Sequence, residues 1–307
     1  MGDRRILVLG SDGQVGWELQ RTLLPIGSVA ARNRAELDLS DPDAVRLALC
    51  DLQPDVIVNA AAYTAVDRAE AEPEQAFRIN GEVPGLLAEE AKRSGALLVH
   101  YSTDYVYDGS KGTAYVESDP PGPINVYGSS KLAGDQAIQD VGGDHLILRT
   151  SWVYGMRGRN FLRTILRLAA EKEELRIVDD QVGCPTWSRW IAEITAQVIG
   201  QVTGGARKKQ YTGIYHLCGG GSTTWHGFAS AIVDEASRLA GLDLRVRQVT
   251  PIPTSAYPTP ARRPPQTPLS CKRLQETFRL GVTGWEEQLR LCLADPGMHR
   301  ILRTPTD

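Results

Sequence analysis

Short, uniformly apolar runs alternate with helix-length segments through the first half of this 307-residue chain, and that alternation predicts an α/β fold with a doubly wound parallel sheet. A glycine-rich turn follows the first apolar run at once. Every later run is separated from the one before by enough chain for a right-handed crossover, as parallel neighbours require. The runs are apolar throughout rather than alternating, which suits strands covered on both faces.

The first strand is Arg5-Ile6-Leu7-Val8-Leu9-Gly10, and Gly10-Ser11-Asp12-Gly13-Gln14-Val15-Gly16 follows directly. Trp17 to Leu24 then reads as an amphipathic helix with Leu19, Leu23 and Leu24 on one side, stopped by Pro25. In this strand–turn–helix unit, Gly10 allows a tight turn, Gly13 lets a diphosphate approach the backbone, and Gly16 lets helix pack on strand. The free N–H groups of the helix start would meet the phosphates. The spacing is G-x-x-G-x-x-G rather than G-x-G-x-x-G, so the context carries the expectation of dinucleotide binding.

The second strand, Ser28 to Ala31, ends at Arg32-Asn33-Arg34. In a doubly wound fold that end meets the adenosine ribose, where an acid would grip the free hydroxyls of NAD. Two arginines stand there instead and favour the 2′-phosphate of NADP, although solvated loop arginines would look the same. Asp38 and Leu39 are placed to border an adenine, and Ser40-Asp41-Pro42 begins the next helix. Val56 to Ala62 is the third strand, whose terminal alanines suit close approach by a cofactor. Tyr63 to Asp67 forms the loop beyond, and Glu72-Pro73 opens a long helix through Arg93. The fourth strand, Leu97 to Thr103, delivers Thr103 to the carboxyl edge of the sheet, where open α/β sheets bind ligands. After the Asp119–Pro123 loop comes a helix carrying Tyr127. His145 to Thr150 is a fifth strand, leading into Ser151-Trp152-Val153-Tyr154-Gly155.

Tyr127 and Lys131 lie four residues apart, about one helical turn, and so share a helix face. A lysine ammonium beside a phenol favours the phenolate and lowers a pKa that is ordinarily about 10. Such a phenol can exchange a proton with a carbonyl or alcohol near neutral pH. A surface tyrosine and lysine would share the spacing; the glycine turn and the strand-end Thr103 are what favour chemistry.

Composition narrows the class. Hydrophobic residues make up 42% and charged residues 23%, as in ordinary globular proteins, and a net charge of −3 implies no affinity for nucleic acid. No apolar run is long enough for a membrane span, and the N-terminal residues run into a strand pattern without a signal-peptide core. Five scattered cysteines without a Cys-x-x-Cys point to reduced thiols in a cytoplasmic protein, and five scattered histidines give no metal-ligand spacing. Beyond residue 152 the pattern predicts helices at Asn160–Glu171, Trp187–Val202 and Trp225–Leu239, the last capped from Ser222-Thr223-Thr224. A short strand is expected at Gly213–Leu217. Residues 251–268 hold seven prolines with Arg262 and Arg263, a wall or lid whose arginines could meet substrate phosphates. The expected division is a dinucleotide-binding domain at 1–151, to which later segments return, and a smaller, mainly substrate-binding α/β domain at 152–307, with the active site in the cleft between.

Several of these stretches together resemble the dTDP-4-dehydrorhamnose reductase family of extended short-chain dehydrogenase/reductases. They are Gly10-x-x-Gly13-Gln14-Val15-Gly16, Asn59 to Asp67, Ser102 to Gly109, Asn125-x-Tyr127-Gly128-x-x-Lys131, Arg149 to Tyr154 and Pro253 to Pro264. The likeness runs essentially end to end; the nucleotide-binding motifs are superfamily-wide, whereas the Ala-Tyr-Thr-Ala-Val-Asp loop and the Pro-Thr-Pro-Ala-Arg-Arg-Pro stretch are narrower. The resemblance implies a Rossmann-type fold and reduction of the 4-keto group of dTDP-4-dehydro-6-deoxy-L-mannose by NADPH, with NADH as an alternative. It makes Tyr127 the proton donor, Lys131 its partner and holder of the nicotinamide ribose, and Thr103 the hydroxyl facing the carbonyl. Gly10, Gly13, Gln14, Val15, Gly16, Arg32, Asn33, Arg34, Asp38, Leu39, Ala61, Ala62, Tyr63 and Thr64 would bind cofactor. Val66, Asp104, Tyr105, Trp152 and Arg262 would join Thr103 on the dTDP-sugar. Some relatives dimerise around Mg²⁺ held by glutamates; Glu18 remains in the matching helix, but the position near Trp190 is not acidic. The sequence therefore supports no metal site and leaves monomer and homodimer open. Dehydratases on this scaffold carry Asp-Glu after the threonine, where this chain has Asp104-Tyr105, which favours simple ketone reduction. One branch is a non-catalytic regulatory subunit of a methionine adenosyltransferase, which needs no Tyr-x-x-x-Lys.

Overall fold

The computed structural model describes residues 4–204, 208–239 and 244–295. In chain order, β1 (Arg5–Leu9) leads to α1 (Gln14–Thr22), β2 (Ser28–Arg32), α2 (Pro42–Leu52) and β3 (Val56–Asn59). The short helices α3 (Val66–Ala69) and α4 (Pro73–Phe77), a π turn (Arg78–Glu82) and α5 (Val83–Ser94) precede β4 (Leu97–Thr103). Next come α6 (Val126–Val141), β5 (His145–Thr150), β6 (Val153–Tyr154) and α7 (Phe161–Glu171). Then follow β7 (Glu174–Val178), β8 (Val182–Gly183), β9 (Thr186–Trp187), α8 (Ser188–Gly204) and β10 (Gly213–His216). The described chain closes with β11 (Thr223–Thr224), α9 (Trp225–Ser237), β12 (Gln248–Ile252), α10 (Lys272–Phe278) and α11 (Trp285–Leu293).

The main sheet has six parallel strands in the order β10-β5-β4-β3-β1-β2. Strand order reverses between β1 and β3, and the crevice outside their carboxyl ends is where such sheets take ligands. Alternate residues along each strand face opposite layers. Ile6, Val8, Val56, Val58, Val99 and Leu148 pack with α1 and α8, while Leu7, Leu9, Ile57, Leu98 and Ile147 pack with α2, α5 and α6. This two-sided burial is why the strands carry no polar alternation.

Three local expectations need correction. The first helix begins at Gln14, not Trp17, so Gln14, Val15 and Gly16 belong to its first turn. It ends at Thr22, and Leu24–Ile26 continues as a 3₁₀ turn that leaves Leu24 63% exposed rather than buried. The stretch from Glu72 to Arg93 is not one helix. Pro84 has no N–H to give Asn80, so the ladder widens into the π turn. Asn80 is put to use there: its amide meets both Tyr63 N and O at 2.8 and 3.0 Å and Ser130 Oγ at 3.0 Å.

The second half is joined by short ladders, β12 with β7, β6 with β9 and β11 with β8. Residues 253–268 run across the carboxyl edge of the main sheet. They are pinned there by Asn125 Nδ2 donating to Arg262 O at 2.8 Å, by Thr267 donating to Asp104 at 2.6 Å, and by the Arg263–Asp67 ion pair.

Candidate active site

The glycine turn sits at the strand-order reversal. Gly10 has φ +78°, and a Cβ there would lie 2.7 Å from Ala61 N; a Cβ on Gly16 would lie 2.1 Å from Gly10 O. Only glycine permits either approach. Gly13 caps α1 without any side-chain bond, so the helix start stays bare toward a cleft of about 500 Å³. Gly10, Gly13, Gln14, Val15, Arg32, Asn33, Arg34, Asp38, Leu39, Ala61, Ala62, Tyr63, Thr64, Tyr127 and Lys131 all line it, so one cleft gathers nearly the whole expected cofactor set. Gly16 lies beneath as a spacer. The cradle fits a dinucleotide: bare N–H groups at one end, arginines at the other, and between them the buried Thr150 hydroxyl, which has no hydrogen-bond partner among the described residues.

The catalytic corner is held by groups distant in sequence. Asn125 caps α6 by accepting from Gly128 N at 2.7 Å. A Cβ on Gly128 would lie 2.2 Å from Tyr105 O, so glycine is what lets α6 lie against the turn that follows β4. That contact sets Tyr127 and Tyr105 edge to face at 5.9 Å. Thr103 accepts from Tyr105 N at 3.1 Å, and its hydrogen bond to the Tyr127 phenol partly offsets the effect of burial. Burial nonetheless pushes the Tyr127 phenol up to about 12, so the expected lowering by Lys131 is not what the geometry gives. The Lys131 amine turns instead to Tyr101 O at 2.6 Å and His100 Nε2 at 3.1 Å, and burial brings it down to about 8. Tyr127 is therefore protonated at neutral pH, as a proton donor must be.

His100 is the residue here that no sequence motif marked. It is buried in β4, bonds Asn59 through Nδ1 at 3.1 Å, and burial lowers its pKa well below the usual imidazole range. Its signal is a histidine that follows the apolar run Leu97-Leu98-Val99 in the same strand as Thr103. Below lies a second buried pair: Arg149 Nε meets Asp135 at 3.0 Å, and Arg149 Nη1 donates to Tyr107 Oη at 2.8 Å.

The expected substrate residues divide. Asp104 is 2% exposed and accepts from Thr103, Ser151 and Thr267 at 3.1, 2.9 and 2.6 Å. Burial raises its carboxyl to about 6. With its oxygens so engaged it joins three segments of the chain. Tyr105 is half-buried beside Tyr127, with its phenol raised by burial. Trp152 adopts φ +45°, stacked on Trp225 at 3.4 Å and held against Gly183, where a Cβ would lie 2.3 Å from its ring. Val66 opens α3, outside the dinucleotide cleft. Arg262 is exposed, whereas Arg263 is taken up by Asp67 at 2.8 and 2.9 Å.

Glu18 is paired within the chain rather than left bare. It is buried, with Arg189 Nε at 3.2 Å and Arg21 at 3.6 Å, and two guanidiniums around one carboxylate leave no charge for Mg²⁺ to neutralise. Among the described residues no other cluster of carboxylates, histidines and cysteines has metal-binding geometry.

A glycine turn at the strand-order reversal, with a tyrosine and a lysine on the same cleft and a threonine hydrogen-bonded to that tyrosine, defines an oxidoreductase of the short-chain dehydrogenase/reductase type. Within that class the chain belongs to the family described as RmlD substrate binding domain, whose match covers residues 4–297. It is 50% identical over 293 residues to the dTDP-4-dehydrorhamnose reductase of Burkholderia thailandensis, covering 95% of this chain and 98% of the relative. The Shigella flexneri enzyme of the same name is 46% identical over 292 residues, covering 94% and 96%. A crystal structure of the Bacillus anthracis dTDP-4-dehydrorhamnose reductase in complex with NADP superposes with a TM-score of 0.86 at 33% identity, covering 95% of this chain and 99% of that one. The Thermus thermophilus UDP-glucose 4-epimerase shares the fold alone, with a TM-score of 0.78 at 21% identity over 96% of this chain and 99% of that one.

Proposed function

We infer that this chain reduces the 4-keto group of dTDP-4-dehydro-6-deoxy-L-mannose to dTDP-L-rhamnose with NADPH, the last step of dTDP-rhamnose biosynthesis. The observation that carries the reading is the match to dTDP-4-dehydrorhamnose reductases over 95% of a chain whose Tyr127 and Lys131 line one cleft, with Thr103 hydrogen-bonded to Tyr127. When bound, the nicotinamide supplies the hydride. Tyr127, protonated at neutral pH, gives its proton to the oxygen of the carbonyl under reduction. Thr103 faces the same oxygen and turns its hydroxyl proton to it from Asp104 when substrate binds. Lys131, anchored by Tyr101 O and His100, presents its remaining hydrogen-bonding capacity to the ribose beside Tyr127. Gln14 and Val15 hold the diphosphate at the start of α1, and Arg32 and Arg34 meet the 2′-phosphate.

On the sugar side, Trp152 offers a ring face fixed by Trp225, and Tyr105, Val66 and Arg262 complete the wall. Residues 152–307 supply most of this substrate half, and 1–151 the cofactor half. The enzyme works as a monomer or homodimer in the cytoplasm. The test follows absorbance loss of NADPH, and separately NADH, with enzymatically made dTDP-4-dehydro-6-deoxy-L-mannose, with and without EDTA. Oxidation of NADPH with formation of dTDP-L-rhamnose, unchanged by EDTA, is expected. Folded protein that oxidises neither cofactor would overturn the assignment.

A further inference from the structure

The loop between β6 and α7 forms part of the cleft, and none of the motifs above includes it. Gly158 and Arg159 line the cleft beside Gln14 and Val153. The loop is built to hold one shape. Asn160 caps α7 by accepting from Arg163 N at 3.1 Å, and its amide donates to Gln14 Oε1, Gly155 O and Arg157 O at 2.9, 2.8 and 3.1 Å. Arg163 donates to Gly158 O at 2.7 Å, and Gly158 takes φ +67° with its backbone against Gln14. The Arg157 guanidinium lies over the Trp17 ring, 3.6 Å from its centroid.

Of the two arginines beside Gly158, one is thus stacked on α1 and the other lines the cleft. Arg159 is exposed and has no ion pair or hydrogen bond among the described residues, whereas Arg163 and Arg157 are both engaged. Its loop is tied to Gln14, the first residue of α1, where the helix N–H groups are bare. Arg32 and Arg34 line the same cleft from the end of β2. A dinucleotide phosphate carries two anionic centres, and the two basic groups of residues belong to two different walls. Asp12 and Asp38 are the acids on the cleft; Asp38 is occupied by Ser40, through both its N–H and its hydroxyl.

We propose that Arg159 clamps the diphosphate of the dinucleotide beside the glycine turn. This rests on the cofactor reading given above. It gives the two anionic groups of NADPH, diphosphate and 2′-phosphate, separate partners: Arg159 binds what NADPH and NADH share, and Arg32 and Arg34 bind what distinguishes them. A charge-assisted bond to phosphate is expected to matter about tenfold in affinity.

The test is direct binding to the purified full chain, read by the fluorescence change of NADPH and of NADH on titration. Adenosine 2′-monophosphate, which lacks a diphosphate, serves as a displacing probe. Arg159→Ala is expected to weaken NADPH and NADH by similar factors, about tenfold each, and to leave the dissociation constant of adenosine 2′-monophosphate, extracted from displacement with each protein's own NADPH affinity, unchanged. Arg159→Lys should recover part of the loss. Because Arg159 is exposed and unpaired, its substitution should not disturb folding, which circular dichroism checks. Weakening of NADPH alone would reassign Arg159 to the 2′-phosphate and overturn the proposal, as would no weakening of either cofactor. A wild-type chain that binds neither cofactor would instead sink the underlying function.

Discussion

The dinucleotide cleft and the catalytic corner meet at Tyr127 and Lys131, yet they are made differently. The cleft is assembled from backbone and small residues near in sequence: Gly10, Gly13 and Gly16 in one turn, Ala61 and Ala62 in another, with exposed arginines at the rim. The corner is assembled from buried polar side chains that reach across the fold: Asn59 to His100 to Lys131, Asn125 to Arg262, and Thr103, Ser151 and Thr267 onto Asp104. A binding surface needs only shape and charge, which local geometry supplies. A proton donor needs a fixed position and a fixed protonation state, which here come from burial and long-range bonds. Substitutions in the corner should therefore alter chemistry or folding, and substitutions at the rim should alter affinity alone.

The largest break in that contrast is expected from Tyr127→Phe. Removing the phenol should lower kcat by about 10²–10⁴-fold while NADPH affinity stays within about twofold. Stopped-flow turnover and fluorescence titration measure the two separately, and unchanged turnover would end the proposed role. Lys131→Met probes the burial side of the same corner. The Lys131 amine has a folded pKa of about 8 against 10.5 when unfolded, so a buried charge penalises folding below pH 8. That penalty is lifted as pH climbs from 8 to 10.5. Relative to Lys131→Met, the wild type should gain about 3 kcal/mol across that window. Urea titrations at stepwise pH compare the two proteins; parallel curves would mean that Lys131 is not the buried charge described.

How much was legible in the sequence follows the same division. Strands and the glycine turn can be read because their determinants are contiguous: apolar runs, Gly spacing, a threonine at a strand end. The first helix was placed three residues late because Gln14 and Val15 are read as part of the glycine motif, although the backbone is already helical there. The π turn was hidden because Pro84 breaks a pattern that is otherwise continuous with Pro73 at its start. His100 and Thr267 carried no motif at all: each matters only through a partner that the fold brings near, Lys131 in one case and Asp104 in the other. Asp104 looked like a ligand contact from its place after Thr103, and only the positions of Ser151 and Thr267 show that its carboxylate is already engaged.

Thr267→Val sharpens the comparison with a smaller effect. It deletes one donor to a buried carboxylate from the proline-rich segment, with little change of volume. The expected cost is about 2 kcal/mol of unfolding free energy, because the deprived oxygen of Asp104 stays buried. A midpoint in urea equal to that of the wild type would show that the segment is held by Arg263–Asp67 and Asn125–Arg262 without this bond.

The smallest effect is expected at the rim, from Arg34→Ala. Asn33 accepts through Oδ1 from Ala35 N and Glu36 N in its own loop at 2.9 and 3.1 Å and offers a phosphate only an uncharged amide donor. Arg32 spends one guanidinium nitrogen on Ala31 O at 2.9 Å. Arg34 is exposed on the cleft and bonds no backbone group among the described residues, so it is the freer of the two for a phosphate. Removing it should weaken NADPH by about tenfold, leave NADH unchanged and leave kcat with saturating cofactor unchanged. Added salt should shrink the NADPH difference, because an exposed charge pair is screened over about 8 Å at physiological ionic strength. Equal weakening of both cofactors would place Arg34 on the shared diphosphate, and a fall in kcat would show that rim and corner are coupled after all.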